Sequence, residues 1–357
     1  MKDINPKIRI KDIANLAGVS EGTVDRVLHQ RGDVSAKSLE AVNKVLEDLD
    51  YSPNIFARSL ASKKQYKFVC MFPVHNTTDY WQLVDNGFKQ AAQEFIHHNV
   101  SLELILFNQF DAKTFVTKAQ EVLSNLPDAV FISPIFRPES LAFTNELTRL
   151  GIPFSFIDSM IEEVDFLTYY GQNSFQSGYI AAKLLLASLS ASEQVIVIRT
   201  QRKGAFSNQT ILRHQGFMQY IEDHGLAHSI ELIQVEMKDE DDEANKEQLI
   251  QVFQTNSNIK AAITFNSKVF RLAKMLVELK QTEVRLIGYD LLEQNVSYLQ
   301  QGVVSYLFGQ RPDKQAYFTV RDMCRQLIFK QDIQRINFVP IDILMKENID
   351  DYLNFEE

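Results

Sequence analysis

The chain has 357 residues, and at about 150 residues per domain this length predicts two or three domains. Hydrophobic residues make up 45% of the chain, with only 13 Gly and 9 Pro, so the composition excludes a low-complexity or disordered protein. The polar residues 1–12 and the lack of a long apolar run argue against a signal peptide and a membrane span, and we expect a cytoplasmic protein. Two isolated cysteines, Cys70 and Cys324, match neither a disulfide framework nor a metal site.

The net charge of −9 is unevenly distributed along the chain. Residues 1–64 contain 11 Lys and Arg against 9 Asp and Glu, a balance of +2, whereas the remainder contains 26 against 37, a balance of −11. An N-terminal excess this small would attract a polyanion only through the local placement of its cations. The acidic remainder of the chain would repel a polyanion.

Residues 8–31, IRIKDIANLAGVSEGTVDRVLHQR, have the pattern of two short helices joined by a turn. Ala14 is small enough for a close helix crossing, Gly18 suits a turn with positive φ, and Val24 faces the crossing point. Ser20 is placed to cap the second helix. The pattern predicts a helix-turn-helix, whose second helix enters the major groove of DNA. An ordinary surface helical hairpin shares this spacing and remains an alternative at this point.

A third helix is predicted to begin at Ser35 and to be followed by a fourth, shorter one. The apolar positions of the third helix share one face: Leu39, Val42, Leu46 and Leu49. The chain then breaks, with Ser52 placed as a cap and Pro53 at the first helical position. The segment at 54–63 is about ten residues long, too short to be a stable helix alone in water.

Three segments, GVSEGTVDRV, DVSAK and LDYSPNIFARSLASKK, occur in this order and together resemble the DNA-binding head and hinge of the lactose-repressor (LacI/GalR-type) family. The resemblance is close over about the first sixty residues and more diffuse beyond them. It implies a helix-turn-helix head at 1–52, a hinge helix and linker at 53–65, and an effector-binding body at 66–357. It further implies a homodimer, or a higher oligomer, on a near-palindromic DNA operator.

The candidate DNA contacts lie in the head and hinge: Lys11, Ser20, Glu21, Gly22, Thr23, Arg26, Asn54, Arg58 and Leu60. Arg26 is the one cation on the second helix, so we assign it to a guanine edge, with contact to phosphate alone as the alternative. Thr23 is placed near phosphates, together with Asn15 or Ser20. The resemblance implies that Leu60 wedges into the minor groove when two hinges meet on DNA, and packing against the partner's hinge is the alternative.

The second helix departs from the family's usual residues at Glu21, Gly22 and Asp25, where Tyr, Gln or Ser are frequent. Carboxylates at these positions could accept hydrogen bonds from cytosine amino groups, but they reduce the attraction to phosphate. Gly22 lowers helix propensity by about 1 kcal/mol relative to Ala.

From residue 66 onward, short apolar runs alternate with amphipathic helical patterns, which predicts an α/β body. The predicted strands are FVCMF (68–72), LELILF (102–107), AVFIS (129–133), PFSFI (153–157), VIVIR (195–199), IELIQV (230–235), AAITF (261–265) and RLIGY (285–289). The length favours two lobes, and the resemblance implies a doubly wound, periplasmic-binding-protein-like pair of parallel sheets. We expect lobe 1 at about 66–171 and 310–336, and lobe 2 at about 172–309 and 337–357.

No motif for phosphate binding, metal ligation or nucleophilic catalysis occurs: G-x-G-x-x-G, the P-loop, HExxH, GxSxG and C-x-x-C are all absent. We therefore expect no cofactor, no metal and no catalytic residue. A second class of function remains open, namely a cytoplasmic solute-binding or enzymatic α/β protein with an incidental helical N-terminus.

Ligands of open α/β sheets bind beyond the carboxyl ends of the strands. The candidate ligand contacts in the body are Trp81, Arg137, Asp158, Arg213, Asn266, Asp290 and Gln310. Carboxylate, amide and guanidinium groups grip vicinal hydroxyls, and an aromatic face covers the C–H side of a sugar ring. We therefore expect a sugar or sugar derivative that controls DNA affinity. For each single residue, a strand-end turn or a helix cap is the plain alternative.

Overall fold

The structure, a computed structural model, describes residues 9–28, 32, 34–49, 64–187, 189–201, 206–239 and 241–356. The chain divides into two compact units, Met1–Ser62 and Lys63–Glu357. The candidate DNA contacts Asn54, Arg58 and Leu60 lie outside the described residues, as does the predicted hinge helix. None of the described helices is long and apolar enough to span a membrane.

The described residues of the N-terminal unit form three helices: α1 (Ile10–Ala17), α2 (Glu21–Leu28) and α3 (Ala36–Asp48). Their core consists of Ile13, Ala14, Val24, Val27 and Val42. Gly18 ends α1 at φ +66°, a left-handed conformation that suits glycine. The Ser20 hydroxyl accepts a 3.1 Å hydrogen bond from the Thr23 amide, and Ser35 caps α3 in the same way. The predicted turn, the predicted cap at Ser20 and the predicted start of the third helix at Ser35 are therefore confirmed, whereas the predicted cap Ser52 lies outside the described residues.

One residue of the predicted apolar face of α3 lies outside this core. Leu46 and Leu49 pack against the core and Val42 is fully buried, whereas Leu39 is 43% exposed. Helical spacing predicted that Leu39 shares the apolar face of α3. The core between the three helices buries only part of that face.

The larger unit contains twelve strands and ten helices among its described residues. The strands are β1 (Tyr66–Pro73), β2 (Val100–Phe107), β3 (Ala129–Ile132), β4 (Phe154–Ile157), β5 (Tyr169–Gly171), β6 (Gln194–Gln201), β7 (Glu231–Lys238), β8 (Ile259–Thr264), β9 (Arg285–Tyr289), β10 (Tyr306–Gly309), β11 (Ile336–Phe338) and β12 (Asp342–Leu344). The helices are α4 (Tyr80–Phe95), α5 (Ala112–Asn125), α6 (Arg137–Leu150), α7 (Ser174–Leu186), α8 (Asn208–Asp223), α9 (Asp242–Thr255), α10 (Val269–Glu278), α11 (Glu293–Gln300), α12 (Pro312–Leu327) and α13 (Ile349–Glu356). All eight predicted strands are present.

These strands form two six-stranded sheets, each with helices packed against it. The first sheet has the order β11-β5-β4-β3-β1-β2, and every pair in it is parallel. The second has the order β12-β10-β9-β8-β6-β7, with only the β10–β12 pair antiparallel. The two-lobed, doubly wound α/β body is therefore confirmed.

The chain passes between the two sheets at three places: after Gly171, after Gly309 and after Phe338. Between the last two crossings, α12 packs on α4, and β11 then pairs with β5. This pairing extends the first sheet to Phe338, a little beyond the predicted boundary at about 336.

Two glycines allow α7 and α8 to pack in close contact on the second sheet. A Cβ atom at Gly178 would lie 1.9 Å from the carbonyl oxygen of Arg213, and one at Gly216 would lie 1.9 Å from that of Phe175. These distances are far below van der Waals contact, so only glycine fits at either position. The crossing fixes the part of α8 that carries Arg213.

Candidate functional site

A cavity lies between the carboxyl ends of the strands of the two sheets and encloses about 610 Å³ together with its open mouth. Six predicted ligand contacts line it: Trp81, Asp158, Arg213, Asn266, Asp290 and Gln310. The structure therefore brings together residues far apart in the sequence, as the strand-end rule predicts. Whether they bind a ligand stays a prediction.

Two aspartates occupy equivalent places in the two sheets. Asp158 follows β4 and Asp290 follows β9, and both have a left-handed backbone, with φ of +68° and +71°. Asp tolerates this region better than most residues, although it still costs energy. Both side chains are nearly buried, at 7% and 3% exposure. The cavity thus contains two carboxylates held by irregular strand-end turns.

Asp290 belongs to a buried chain of hydrogen bonds. Gln310 Nε2 donates to Asp290 Oδ1 at 2.6 Å, and Arg213 Nη2 donates to Gln310 Oε1 at 3.2 Å. Burial raises the pKa of Asp290 to about 6; the nearby Asp158 adds to this rise, whereas Arg213 and the Gln310 hydrogen bond oppose it. The carboxyl group of Asp290 therefore changes between its neutral and charged forms near pH 6.

Arg213 is held by contacts on several sides. Its Nη1 donates to the carbonyl oxygen of Phe265 at 2.9 Å, and its guanidinium lies 3.9 Å from the centroid of the Tyr289 ring. The residue is only 1% exposed. Arg213 is therefore a rigid cation in the wall of the cavity, and contacts with the protein orient its guanidinium group.

Asp158 accepts hydrogen bonds from both sides of the cavity. Tyr80 Oη donates to its Oδ1 at 2.6 Å, and Gln209 Nε2 donates to the same atom at 2.8 Å. Burial and the nearby Asp158 charge raise the pKa of Tyr80 well above its usual value, so the phenol remains a proton donor. Tyr80 is on α4 beside the first sheet and Gln209 is on α8 beside the second.

The expectation that ligand contacts directly follow strands did not identify Gln209 as a site residue. Gln209 lies in the first turn of α8, behind the helix cap Ser207, and does not directly follow a strand. The cap at Ser207 was the only sequence signal that a helix begins at this point. Whether that helix end faces the cavity depends on the tertiary fold.

Asn266, Trp81 and Arg137 differ in how far they face the cavity. The Asn266 amide is engaged within the protein, because its Nδ2 donates to Thr200 Oγ1 at 2.6 Å and its Oδ1 accepts from the Lys268 amide at 2.8 Å. Trp81 is 6% exposed and packs edge-to-face on Tyr80, with ring centroids 5.1 Å apart. Arg137 does not line the cavity: it begins α6, is half-exposed and forms an ion pair with Glu163.

The predicted DNA contacts of the head lie on its surface. Lys11, Glu21, Gly22 and Arg26 are exposed, and Thr23 is partly exposed. Ser20 is also exposed, but its hydroxyl caps α2 and lies 2.9 Å from the Thr23 hydroxyl. The outward surface of α2 therefore combines one carboxylate, one guanidinium and a glycine. DNA contact by these residues stays a prediction.

Among the described residues, no group of three His, Cys, Asp or Glu side chains could hold a metal ion.

Comparison with known protein families finds two matches that together cover most of the chain. Residues 68–331 match the periplasmic binding protein domain, and residues 9–54 match the lacI family of bacterial regulatory proteins. The two matches correspond to the two-lobed body and to the three-helix head.

Individual relatives agree with these matches. The chain is 29% identical over 160 residues to the sucrose operon repressor of Lactococcus lactis, a match that covers 41% of this chain and 50% of that protein. It is 28% identical over 224 residues to the transcriptional regulator DegA of Bacillus subtilis, which covers 62% of each. The matches thus span about half to three fifths of these relatives.

A solved structure covers more of the chain. The crystal structure of a Bacteroides fragilis protein assigned to the LacI transcriptional regulators is 36% identical, with a TM-score of 0.74, and the match covers 81% of this chain and 100% of that one. The match to the lacI family precedes the match to the periplasmic binding protein domain along the chain, as the head precedes the body. The chain belongs to the lacI family of bacterial regulatory proteins.

Proposed function

We propose that this chain is a sequence-specific, DNA-binding transcription regulator whose affinity for its operator is controlled by a sugar or sugar derivative bound between the two sheets. The observation that carries the proposal is the cavity: Asp158 comes from one sheet, and Arg213 and Asp290 come from the other. The same chain has a helix-turn-helix unit with an exposed second helix.

The donors and acceptors of the cavity suit a polyhydroxylated ligand. Asp158 and Asp290 accept hydrogen bonds from hydroxyl groups, while Arg213 and Gln310 donate them in fixed directions. Trp81 and Tyr80 offer aromatic surface for the C–H side of a ring. The sucrose operon repressor among the relatives bears a name that links it to sugar metabolism, in keeping with this chemistry.

The proposal of DNA binding rests on the exposed residues of α2 and on the twofold symmetry expected of a dimer and its operator. Arg26 is exposed on α2 and would read a guanine edge, while Lys11 would contact phosphate. One head covers half of a site, so we propose a homodimer on a near-palindromic operator. The protein would act in the cytoplasm, where the DNA is, and would need no catalytic residue.

Ligand control follows if the two sheets can move relative to each other. A ligand that bridges Asp158 and Arg213 stabilises the closed arrangement only by the difference between its affinities for the closed and open states. If the heads pair differently in these states, ligand and operator affect each other's binding by the same factor, typically worth about 1–3 kcal/mol.

The test begins with selection of DNA sites by the full chain from a random duplex library. A selected site is then titrated with the protein at several salt concentrations, with and without each member of a sugar panel. We expect a near-palindromic consensus, an affinity that falls with salt, and at least one sugar that shifts the affinity about five- to 150-fold. Trp81, the only Trp, provides a separate fluorescence signal for sugar binding.

Selection of no consensus would refute the DNA-binding half and favour the solute-binding or enzymatic alternative. A consensus whose affinity no sugar changes would refute sugar control while leaving DNA binding intact.

A further inference from the structure

A second cavity adjoins the first and shares part of its wall. Tyr80, Trp81 and Ser267 line both cavities, so a single ligand can contact both. The second cavity encloses about 1060 Å³ with its open mouth, against about 610 Å³ for the first. The second cavity is therefore larger than the first, which contains Asp158 and Asp290.

The cations of the second cavity are paired with two carboxylates, one of which is buried. Lys268 Nζ lies 2.8 and 2.9 Å from the two carboxylate oxygens of Asp239, whose side chain is 4% exposed. Arg271 Nη1 also contacts Asp239 and lies 3.6 Å from Asp242 Oδ1. A phosphate group that bound Lys268 would compete with the buried Asp239 for this cation, which disfavours an anion at this place.

The remaining charges near both cavities disfavour an anion as well. Asp79 lines the second cavity, and in the first Asp158 and Asp290 face the single cation Arg213. Neither cavity has an excess of positive charge. An anionic ligand would therefore gain no net electrostatic attraction in either cavity, and a neutral ligand needs none.

The second cavity combines aromatic rings with amide groups. Phe110 and Phe270 are partly buried in its wall, and Gln109 and Gln294 lie beside them. Phe110 is in the turn before α5, and Phe270 is in the first turn of α10, so rings from both lobes are present. Rings that cover C–H groups and amides that bind hydroxyls together suit a sugar ring.

We infer that the ligand is a neutral disaccharide, with one ring among Asp158, Arg213 and Asp290 and the other against Phe110 and Phe270. The inference rests on the proposed sugar control and adds the size and charge of the ligand. Trp81 lies at the boundary between the two subsites.

Isothermal titration calorimetry of the full chain tests this inference. The probes are sucrose, maltose, lactose, cellobiose and trehalose, their component monosaccharides, and glucose 6-phosphate. We expect at least one disaccharide to bind about tenfold or more tightly than its component monosaccharides and than glucose 6-phosphate, since tenfold is about 1.4 kcal/mol of additional contact.

Bulky substitutions on exposed residues separate the two subsites. Thr78 and Gln294 are exposed and line only the second cavity, from opposite lobes. Thr78→Trp and Gln294→Trp should each weaken disaccharide binding about tenfold and change monosaccharide binding by less than about twofold. Thr117→Trp, on the exposed surface of α5, should change neither.

A monosaccharide or the sugar phosphate that binds more tightly than every disaccharide would overturn the inference while sugar control stands. If Thr78→Trp and Gln294→Trp each weaken disaccharide and monosaccharide binding equally, the two-subsite inference is likewise overturned while sugar control stands. If no probe binds, sugar control itself fails, and the inference fails with it.

Discussion

Gln209 donates a 2.8 Å hydrogen bond to the carboxylate of Asp158 and so links the two lobes across the cavity. The same amide group also donates to the Asp158 carbonyl oxygen at 3.0 Å. These bonds join the two lobes through protein groups alone, so the protein itself contributes to closure. A ligand that binds Asp158 must compete with Gln209 or bind beside it.

Removal of this link should open the ligand-free body. In Gln209→Ala, the closed arrangement loses two hydrogen bonds, each worth on the order of 1 kcal/mol, so the open population should rise. Small-angle X-ray scattering should show a larger radius of gyration for the variant without ligand and an unchanged one with saturating ligand. Gln219→Ala is the control, because Gln219 lies on the same helix but bonds Asp223 at the surface. Equal radii for Gln209→Ala and wild type would contradict a closing role.

The Asp290 carboxyl should make the body less stable as pH rises from 4 to 6. Its pKa is about 6 in the folded chain, against about 4 for an ordinary Asp. Between these values, the folded chain holds a proton that the unfolded chain has released, so the free energy of unfolding falls as pH rises. The effect is complete about one pH unit above this pKa, where Asp290 is ionised in both states.

Asp290→Asn cannot ionise and should lose this dependence. Its stability relative to wild type should increase between pH 4 and pH 7 by on the order of 2–3 kcal/mol, the equivalent of about two pKa units. Urea unfolding at several pH values, followed by Trp81 fluorescence, measures this difference. Asp350→Asn, at an exposed carboxyl on α13, is the control. A stability difference that does not vary with pH would show that the carboxyl of Asp290 titrates normally.

The close crossing of α7 and α8 should not tolerate a methyl group. In Gly178→Ala, the added Cβ would clash with the Arg213 carbonyl oxygen, so the helices must separate, at a cost of about 1–3 kcal/mol. Because Arg213 moves with α8, ligand binding should weaken as well. Gly22→Ala is the control, since its Cβ would meet only Ser20 Oγ at 3.8 Å and Ala favours the helix. Thermal unfolding and ligand titration should separate the two variants, and unchanged behaviour of Gly178→Ala would refute the tight crossing.

Arg26 and Lys11 should affect DNA binding in different ways. Arg26→Ala should cost about 1–3 kcal/mol at the selected site and relax the preference at one base pair, because a guanine contact is lost. Lys11→Ala should weaken binding to all DNA sequences alike, because only a phosphate contact is lost. It should also reduce the slope of log affinity against log salt concentration by about one. Repeated site selection and salt titration measure both effects. If Arg26→Ala keeps the full sequence preference, Arg26 contacts phosphate only.

Most of the strands that the sequence predicted have continuous apolar runs, whereas LELILF and IELIQV are interrupted by polar residues. A strand buried on both faces needs such a run, and β1 and β6 have one. The sequence did not predict β5, β11 and β12, which have three residues each, or β10, because short segments carry too little pattern to separate them from loops.

The candidate site residues also divide into those whose position the sequence pattern could predict and those whose position depends on the tertiary fold. Asp158 and Asp290 follow strands directly, so their position could be predicted from the sequence. Arg137 also follows a strand region, but Glu163 from a distant loop holds it at the surface, and no local pattern shows such a partner. Gln209 reaches the cavity only because α8 packs where it does, which depends on Gly178 and Gly216 in three dimensions.

The three passages of the chain between the sheets also govern the order in which the body can form during synthesis. β5 lies next to β11, so the first sheet remains open at that edge until residues 336–338 have left the ribosome. An unpaired edge of this kind invites pairing with other chains. The three-helix head has a core of its own and emerges first, so it can fold while the body is still incomplete. The nascent chain therefore has a folded head long before it has a complete ligand cavity.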